Sequence, residues 1–283
     1  MHKTGSRAVV VAALLLLALP GAAAAQEWQD EVLSLMGAAN DGLKAMWMDY
    51  RMESVEYYTI GQGRSTRRVH QQPFRWVPGD ARRAADGWRL TWAIDESWGA
   101  ATGSGVPAGA LAAAIRRATA TWGADPCLRD LEIVERKHPP GDVTVTDFFV
   151  GTGELGDPFF ADVVHAGWTP GSSPLFASDI LALAATYVFV DRDSGEPTDV
   201  DGDNYMDVAL TEIFYNDAFV WRIDATAPAI DVETVALHEV GHALSLGHFG
   251  LPPEAVMNPV YDGRSRTLQA LDHAGLCALW RGR

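Results

Sequence analysis

Residues 238–248 have the sequence HEVGHALSLGH, and this stretch determines the site around which the chain is built. His238 and His242 are four residues apart, so on a helix both imidazoles leave the same face. His248 can supply a third nitrogen once the chain turns back. Three protein ligands leave one position of a tetrahedral zinc ion open, which is typical of a catalytic rather than a structural site. The stretch therefore predicts a catalytic zinc site with His238, His242 and His248 as ligands.

Glu239 follows the first of these histidines and lies one step round the helix. From there its carboxylate can reach a water on the metal rather than the metal itself. Coordination by imidazoles lowers the pKa of such a water toward about 7. Glu239 can then take the proton as the water attacks a polarised carbonyl. We therefore predict a zinc-dependent hydrolase with Glu239 as general base.

Together with residues 256–261, this stretch resembles the matrixins, a family of metzincin zinc endopeptidases. Their pattern is H-E-x-x-H-x-x-G-x-x-H followed by a methionine turn. Met257, Pro259 and Tyr261 match the Met-x-Pro-x-Tyr of that turn. The resemblance implies that Met257 lies beneath the metal, and that Pro259, Val260 and Tyr261 form one wall of the pocket for the side chain after the scissile bond. A second role is open to Tyr261, since a tyrosine after the turn assists the oxyanion in some other metzincins.

Ser245 departs from the family pattern, which has a glycine at this position. We expect a helix over residues 231–246 that Gly247 ends. Gly247 would then supply the backbone freedom by which His248 turns toward the metal, because glycine adopts left-handed conformations at little cost.

The likeness covers residues 86–283 and implies an α+β, zincin-like catalytic domain, with a twisted mixed sheet, an active-site helix and a small C-terminal subdomain. The sequence pattern agrees, because strand-like runs precede the helix that carries the motif. Trp88, Leu90, Trp92 and Ile94 alternate with polar or small residues, which predicts a half-buried strand. Further strands are predicted at 131–134, 143–150, 160–166, 186–190 and 208–215, and helices at 107–122 and 268–280.

The first 25 residues have the features of an export signal. Lys3 and Arg7 precede an apolar run over residues 8–19, and Ala23-Ala24-Ala25 provides an A-x-A cleavage site. We expect an exported chain that begins near Gln26, secreted or periplasmic and without a membrane anchor. Because exported proteins form disulfides, Cys127 and Cys277 are expected to be bridged.

Residues 26–85 are expected to be an N-terminal extension or a pro-segment that precedes the catalytic domain at 86–283. Residues 28–50 have apolar side chains at helical spacing, which predicts a helix packed on the main domain. The stretch 62–83 holds six arginines, which invite proteolytic removal of what precedes them. A permanent extension is the alternative that the sequence leaves open.

An acidic segment at 191–224 contains an imperfect calcium loop. Its carboxylates fall at alternate loop positions, with a tyrosine at the backbone-ligand position: Asp199, Asp201, Asp203, Tyr205 and Asp207. Asn204 stands where such loops have glycine, and Leu210 where they have a bidentate glutamate. Glu212 or Asp217 would have to complete the shell. Matrixins carry structural calcium, so the resemblance favours a calcium ion that stabilises the fold over a solvated acidic loop.

The composition limits the partners of the chain. With 22 basic and 37 acidic residues, the net charge is −15, which argues against a nucleic-acid binder. We expect a monomeric zinc endopeptidase that acts on a peptide or protein substrate. Two alternatives are a non-catalytic secreted module stabilised by zinc and calcium, and a zinc amidase that acts on cell-wall peptides. An intact Glu239 argues against the first, because a structural zinc site needs no base.

Overall fold

The computed structural model describes residues 10–14, 55–59, 66–71, 74–83, 88–96, 106–139, 160–170, 180–189, 196–224, 229–249, 254–258 and 261–280. For the first three of these segments only the backbone is described. The expected helix at 28–50, the expected strand at 143–150, most of the export signal, and Pro259 and Val260 lie outside the described residues.

The described strands are, in chain order, β1 (Val10–Leu14), β2 (Val55–Thr59), β3 (Thr66–Gln71), β4 (Phe74–Arg75), β5 (Arg89–Ile94), β6 (Glu132–Glu135), β7 (Val163–Thr169), β8 (Ala182–Phe189), β9 (Met206–Asn216), β10 (Trp221–Arg222), β11 (Ile230–Asp231) and β12 (Leu246–Phe249). The described α-helices are α1 (Ala108–Gly123), α2 (Val232–Ala243) and α3 (Ala270–Trp280), and a 3₁₀ turn spans Pro126–Leu128.

A mixed sheet forms the centre of the fold, with the order β6-β5-β7-β9-β8. The neighbours β6, β5, β7 and β9 are parallel, whereas β8 runs antiparallel to β9. The short β4 pairs with the beginning of β9. This architecture confirms the predicted α+β fold with a mixed sheet and an active-site helix.

β5 is buried on both faces, with Leu90, Thr91, Trp92, Ala93 and Ile94 all buried. The prediction of a half-buried strand was wrong on this point. β5 lies between the parallel strands β6 and β7, and parallel strands of this kind are covered on both sides. Its alternation of large and small side chains therefore does not separate a core face from a solvent face.

α1 begins after Pro107 and packs against α2, the helix that carries the zinc motif. Its buried face includes Leu111, Ile115 and Trp122, as the apolar spacing predicted. The indole Nε1 of Trp122 donates to the backbone oxygen of Leu237 in α2 at 2.7 Å. This hydrogen bond fixes α1 against the middle of the motif helix.

Backbone pairing adds β1 to this sheet and forms a separate three-stranded sheet from β2, β3 and β12. β1, which lies inside the expected export signal, pairs antiparallel with the outer edge of β8. β3 pairs with both β2 and β12. In the part of the chain that the structure describes, no helix has the length and apolar character needed to cross a membrane.

The predicted disulfide between Cys127 and Cys277 is confirmed. It joins the 3₁₀ turn that follows α1 to the last helix, α3. The C-terminal helix is thereby tied covalently to the part of the domain that supports α2.

Candidate active site

The N-terminus of α2 is fixed by side-chain hydrogen bonds and an ion pair. The carboxylate of Asp231 accepts from the backbone nitrogen of Thr234 at 3.0 Å and from its hydroxyl at 2.7 Å. Arg266 donates to the same carboxylate at 2.6 Å. Because Asp231 is fully buried, this capping residue anchors the helix inside the domain rather than at its surface.

A turn at Ser245 ends the motif helix and reverses the chain. α2 ends at Ala243, and Ser245 adopts φ +71°, the left-handed conformation that costs a residue with a side chain roughly 1–2 kcal/mol. Gly247 lies in β12 and does not have a positive φ. The expectation that Gly247 ends the helix and supplies the freedom was therefore wrong. Ser245 itself makes the turn, and its nitrogen donates to the His242 oxygen at 2.8 Å.

The turn brings His248 to the two helical histidines. Its Nε2 lies 3.2 Å from Nε2 of His238 and 3.1 Å from Nε2 of His242. Nδ1 of His238 donates to the Val256 oxygen at 2.7 Å, and Nδ1 of His242 donates to the Leu246 oxygen at 2.8 Å. Since a carbonyl oxygen only accepts, the Nε2 atoms of both neutral rings carry lone pairs.

These nitrogens fit a zinc ion. A cation placed between the three nitrogens would be attracted by the Nε2 lone pairs of His238 and His242. An ion held at about 2.0–2.1 Å by tetrahedral nitrogen ligands separates those ligands by about 3.3 Å, close to the distances found here. Burial lowers the pKa of His238, and burial with the neighbouring His248 and His238 lowers that of His242 well below its usual value. Both rings are therefore neutral and available as ligands.

Glu239 lies beside this triad and is 3% exposed. Its Oε2 is buried and has no hydrogen-bond partner among the described residues. Burial raises the pKa of its carboxyl to about 8. A dication held by the neighbouring histidines would favour the carboxylate and oppose this shift. The carboxyl therefore has an oxygen available for a proton and an environment in which it can hold one.

A cavity of about 590 Å³ opens next to His238 and Glu239. Its remaining wall is largely apolar and includes Ile180, Leu181, Val235, Val256 and Tyr261. The Tyr261 hydroxyl accepts a hydrogen bond from the Asp231 nitrogen at 3.0 Å. This bond directs the hydroxyl to the beginning of α2, which favours a place in the cavity wall over a role at the oxyanion.

The turn containing Met257 lies beneath the histidines. Met257 is fully buried, and its sulfur lies against Gly241 of α2. The buried carboxylate of Asp272 accepts hydrogen bonds from the nitrogens of Val256 at 2.9 Å and of Met257 at 3.1 Å. Val256 in turn accepts the hydrogen bond that orients His238. Asp272 thus supports a zinc ligand through the methionine turn.

Sequence reasoning missed Asp272. The available signal was an acidic residue in the first turn of α3, where it binds the Gln269 nitrogen at 2.8 Å. That position predicts only a helix-capping contact. The second contact, to the methionine turn, depends on how α3 packs in three dimensions.

Only three of the predicted calcium ligands in the acidic loop lie close together. Carboxylate oxygens of Asp199, Asp201 and Asp207 lie within 4.8 Å of one another. Asp203 does not belong to this group, because its carboxylate accepts from the Tyr205 nitrogen at 2.9 Å and lies 3.7 Å from Arg75. Glu212 and Asp217, suggested to complete the shell, are not part of the group either. Glu212 follows Asp207 by five residues along β9, which separates the two residues by roughly 16 Å in an extended strand.

The geometry defines a three-histidine metal centre of the metzincin type, with a buried glutamate beside it and an adjoining cavity. Residues 186–281, which run from β8 through α3, match the model of the matrixin family, Peptidase M10, and form a matrixin domain. No curated protein matches the chain. The matrixin domain together with the histidine triad makes the chain a zinc metalloendopeptidase.

Packing between Gly241 and Met257 yields a first prediction. A Cβ at Gly241 would overlap the Met257 sulfur and lie 2.9 Å from the Trp122 ring. We expect Gly241→Ala to lower the free energy of unfolding by about 1–3 kcal/mol, measured by chemical denaturation. Gly109→Ala in α1 is the matched control, because a Cβ there meets open space and should stabilise by up to about 1 kcal/mol. Equal effects of the two substitutions would contradict the close packing beneath the histidines.

Proposed function

We propose that His238, His242 and His248 hold the zinc ion and that Glu239 is the general base of this endopeptidase. The observation that carries the proposal is the convergence of three imidazole nitrogens beside a buried carboxylate oxygen that has no partner among the described residues. Zinc, when bound, would activate a water molecule and polarise the carbonyl of the scissile bond.

The chain's own groups would act as follows. The hydrogen bonds to Val256 and Leu246 keep the rings of His238 and His242 from rotating, so their Nε2 lone pairs stay directed at the metal position. Glu239 Oε2 accepts a proton from the attacking water. The same oxygen then donates that proton to the nitrogen of the leaving amine as the C–N bond breaks. The low-polarity surroundings of Glu239 allow it to hold the proton between the two steps.

The proposed substrate is an extended peptide along the outer edge of β8. In the described sheet only β1 lies outside β8, and its pairing with residues 185–189 supports an edge that accepts an antiparallel strand. If residues 1–25 are removed on export, β1 leaves this edge. The apolar cavity near the beginning of β8 would accept a large apolar side chain on the carboxyl side of the scissile bond.

We further propose that Asp199, Asp201 and Asp207 bind a calcium ion that stabilises the fold. Carboxylate oxygens are the ligands that calcium prefers. Asp207 is 1% exposed and is oriented by Arg82 at 2.6 Å and by the Thr198 hydroxyl at 2.5 Å, so one side of the group is fixed before any ion binds. Asp199 is oriented by the backbone nitrogens of Asp203 and Asn204.

Export to the periplasm or the medium completes the proposal. The disulfide between Cys127 and Cys277 is consistent with export, because such bridges persist in oxidising compartments. The substrate would then be an extracellular or periplasmic peptide or protein, and we expect the enzyme to act on it as a monomer.

Cleavage of a random peptide library by the wild type and by Glu239→Ala tests the catalytic role. We expect the wild type to cleave before large apolar residues, and the variant to cleave none while still binding zinc, because only the base is lost. Glu132→Ala, which removes an exposed glutamate from β6, should cleave like the wild type. Absence of cleavage by the zinc-loaded wild type would favour the non-catalytic module or the cell-wall amidase.

Calcium addition to the zinc-saturated protein tests the second site. After dialysis against EGTA and reloading with zinc, calcium at about a hundredfold excess over its dissociation constant should raise Tm by about 5 °C. Asp201→Asn should abolish most of this response. The control Asp130→Asn, in an exposed acid paired with Arg129, should keep it. A Tm that does not respond to calcium would refute the calcium site.

A further inference from the structure

Residues 74–83, which the sequence places in the extension before the catalytic domain, are packed into that domain. Phe74 and Trp76 are each 1% exposed, and both belong to its hydrophobic core. The strand β4 pairs in parallel with the beginning of β9, with Phe74 opposite Met206. This segment therefore contributes core side chains and backbone pairing to the domain.

Trp76 reaches the end of the motif helix. Its indole Nε1 donates to the backbone oxygen of Ala243 at 2.6 Å. Ala243 is the last residue of α2 and directly follows the zinc ligand His242. Backbone oxygens in the last turn of a helix lack intrahelical donors, so a buried one needs a partner from elsewhere. Trp280 of α3 satisfies the next oxygen, that of Leu244, at 3.2 Å.

Two indoles therefore hold the chain where it turns toward the third ligand. The oxygens that they bind belong to the two residues directly before Ser245, which has the left-handed backbone conformation. A left-handed residue with a side chain persists only where the surrounding structure holds it. Loss of the Trp76 hydrogen bond would release one of the contacts that fix this turn.

Arg82 and Arg83 anchor the segment on its other side. The Arg83 guanidinium pairs with the fully buried Asp162 at 3.1 Å and donates to the Arg89 oxygen at 2.7 Å. It also lies over the Trp76 ring, 4.9 Å from the ring centre. Removal of Arg83 would leave the buried Asp162 carboxylate without this cation, which is strongly unfavourable. Arg82 makes a second link, to Asp207 of β9.

The chain immediately before this segment contacts the same region. β3 pairs antiparallel with β12, the strand that contains His248, with Gln71 opposite Leu246 and Val69 opposite Phe249. Residues 74–83 thus contact the end of α2, just after the second ligand. The preceding strand β3 contacts β12, which carries the third ligand.

We propose that residues 74–83 are a permanent part of the enzyme and that Trp76 is a positioning residue for the zinc ligands. Any maturation cleavage then falls before Phe74, so the arginines at 75, 82 and 83 are not processing sites. This inference rests on the proposed zinc site. It decides between the removable pro-segment and the permanent extension for these ten residues.

Zinc affinity of Trp76→Phe tests the positioning role, with Trp88→Phe as the matched control. Trp88 is 70% exposed, whereas Trp76 is buried. In competition with a chromophoric chelator, we expect Trp76→Phe to bind zinc about tenfold more weakly, the size of effect seen when a supporting group behind a ligand is lost. Its kcat should fall with little change in KM, and Trp88→Phe should match the wild type. A folded Trp76→Phe with unchanged zinc affinity would overturn the positioning role.

N-terminal sequencing of the zinc-loaded, active protein recovered after export provides an independent test, which also applies if Trp76→Phe does not fold. We expect the active form to begin at or before Phe74. An active form that begins after Arg83, with no separate peptide containing residues 74–83 bound to it, would overturn the proposal. Zinc affinity is measured without a substrate, so failure of the peptidase assay alone leaves this inference distinguishable from the proposed function.

Discussion

The convergence of three imidazole nitrogens is the constraint on which the rest of the site depends. Nε2 of His248 lies 3.1–3.2 Å from the corresponding atoms of His238 and His242, a spacing close to that of nitrogen ligands around a tetrahedral zinc ion. Two of the ligands are four residues apart on a helix, but the third arrives only because Ser245 takes a left-handed conformation. The three-histidine site therefore exists only while this turn keeps its conformation, and much of the surrounding structure holds the turn in place.

That support comes from both ends of the chain. Trp76 and Trp280 bind consecutive backbone oxygens at the end of the motif helix. The helix that carries Trp280 also provides Asp272, which holds the methionine turn and, through Val256, the ring of His238. The disulfide to Cys277 ties this helix to the turn after α1. Tertiary contacts of this kind can compensate for the conformational cost that glycine would have avoided at Ser245.

The sequence predicted what local periodicity determines. The four-residue spacing of His238 and His242, the position of Glu239 and the buried face of α1 follow from helix geometry alone. The turn was assigned to Gly247 because intrinsic preference favours glycine, whereas packing from distant segments fixes it at Ser245. Trp76 and Asp272 could not be found for the same reason, since their partners are 167 and 15–16 residues away. In the acidic loop, alternate spacing predicted Asp203 as a ligand, but its carboxylate accepts from the Tyr205 nitrogen and is not part of the cluster.

Zinc binding by His248→Ala tests the central claim most directly, because the turn at Ser245 brings this residue to the site, whereas the other two ligands lie on the motif helix. The account predicts a loss of zinc affinity greater than the 10–100-fold typical of supporting groups, since a direct ligand is removed. His273→Ala is the matched control, because that imidazole pairs with Asp125 at 2.8 Å rather than with the triad. Zinc affinity in His248→Ala equal to that of the wild type would contradict a three-histidine centre.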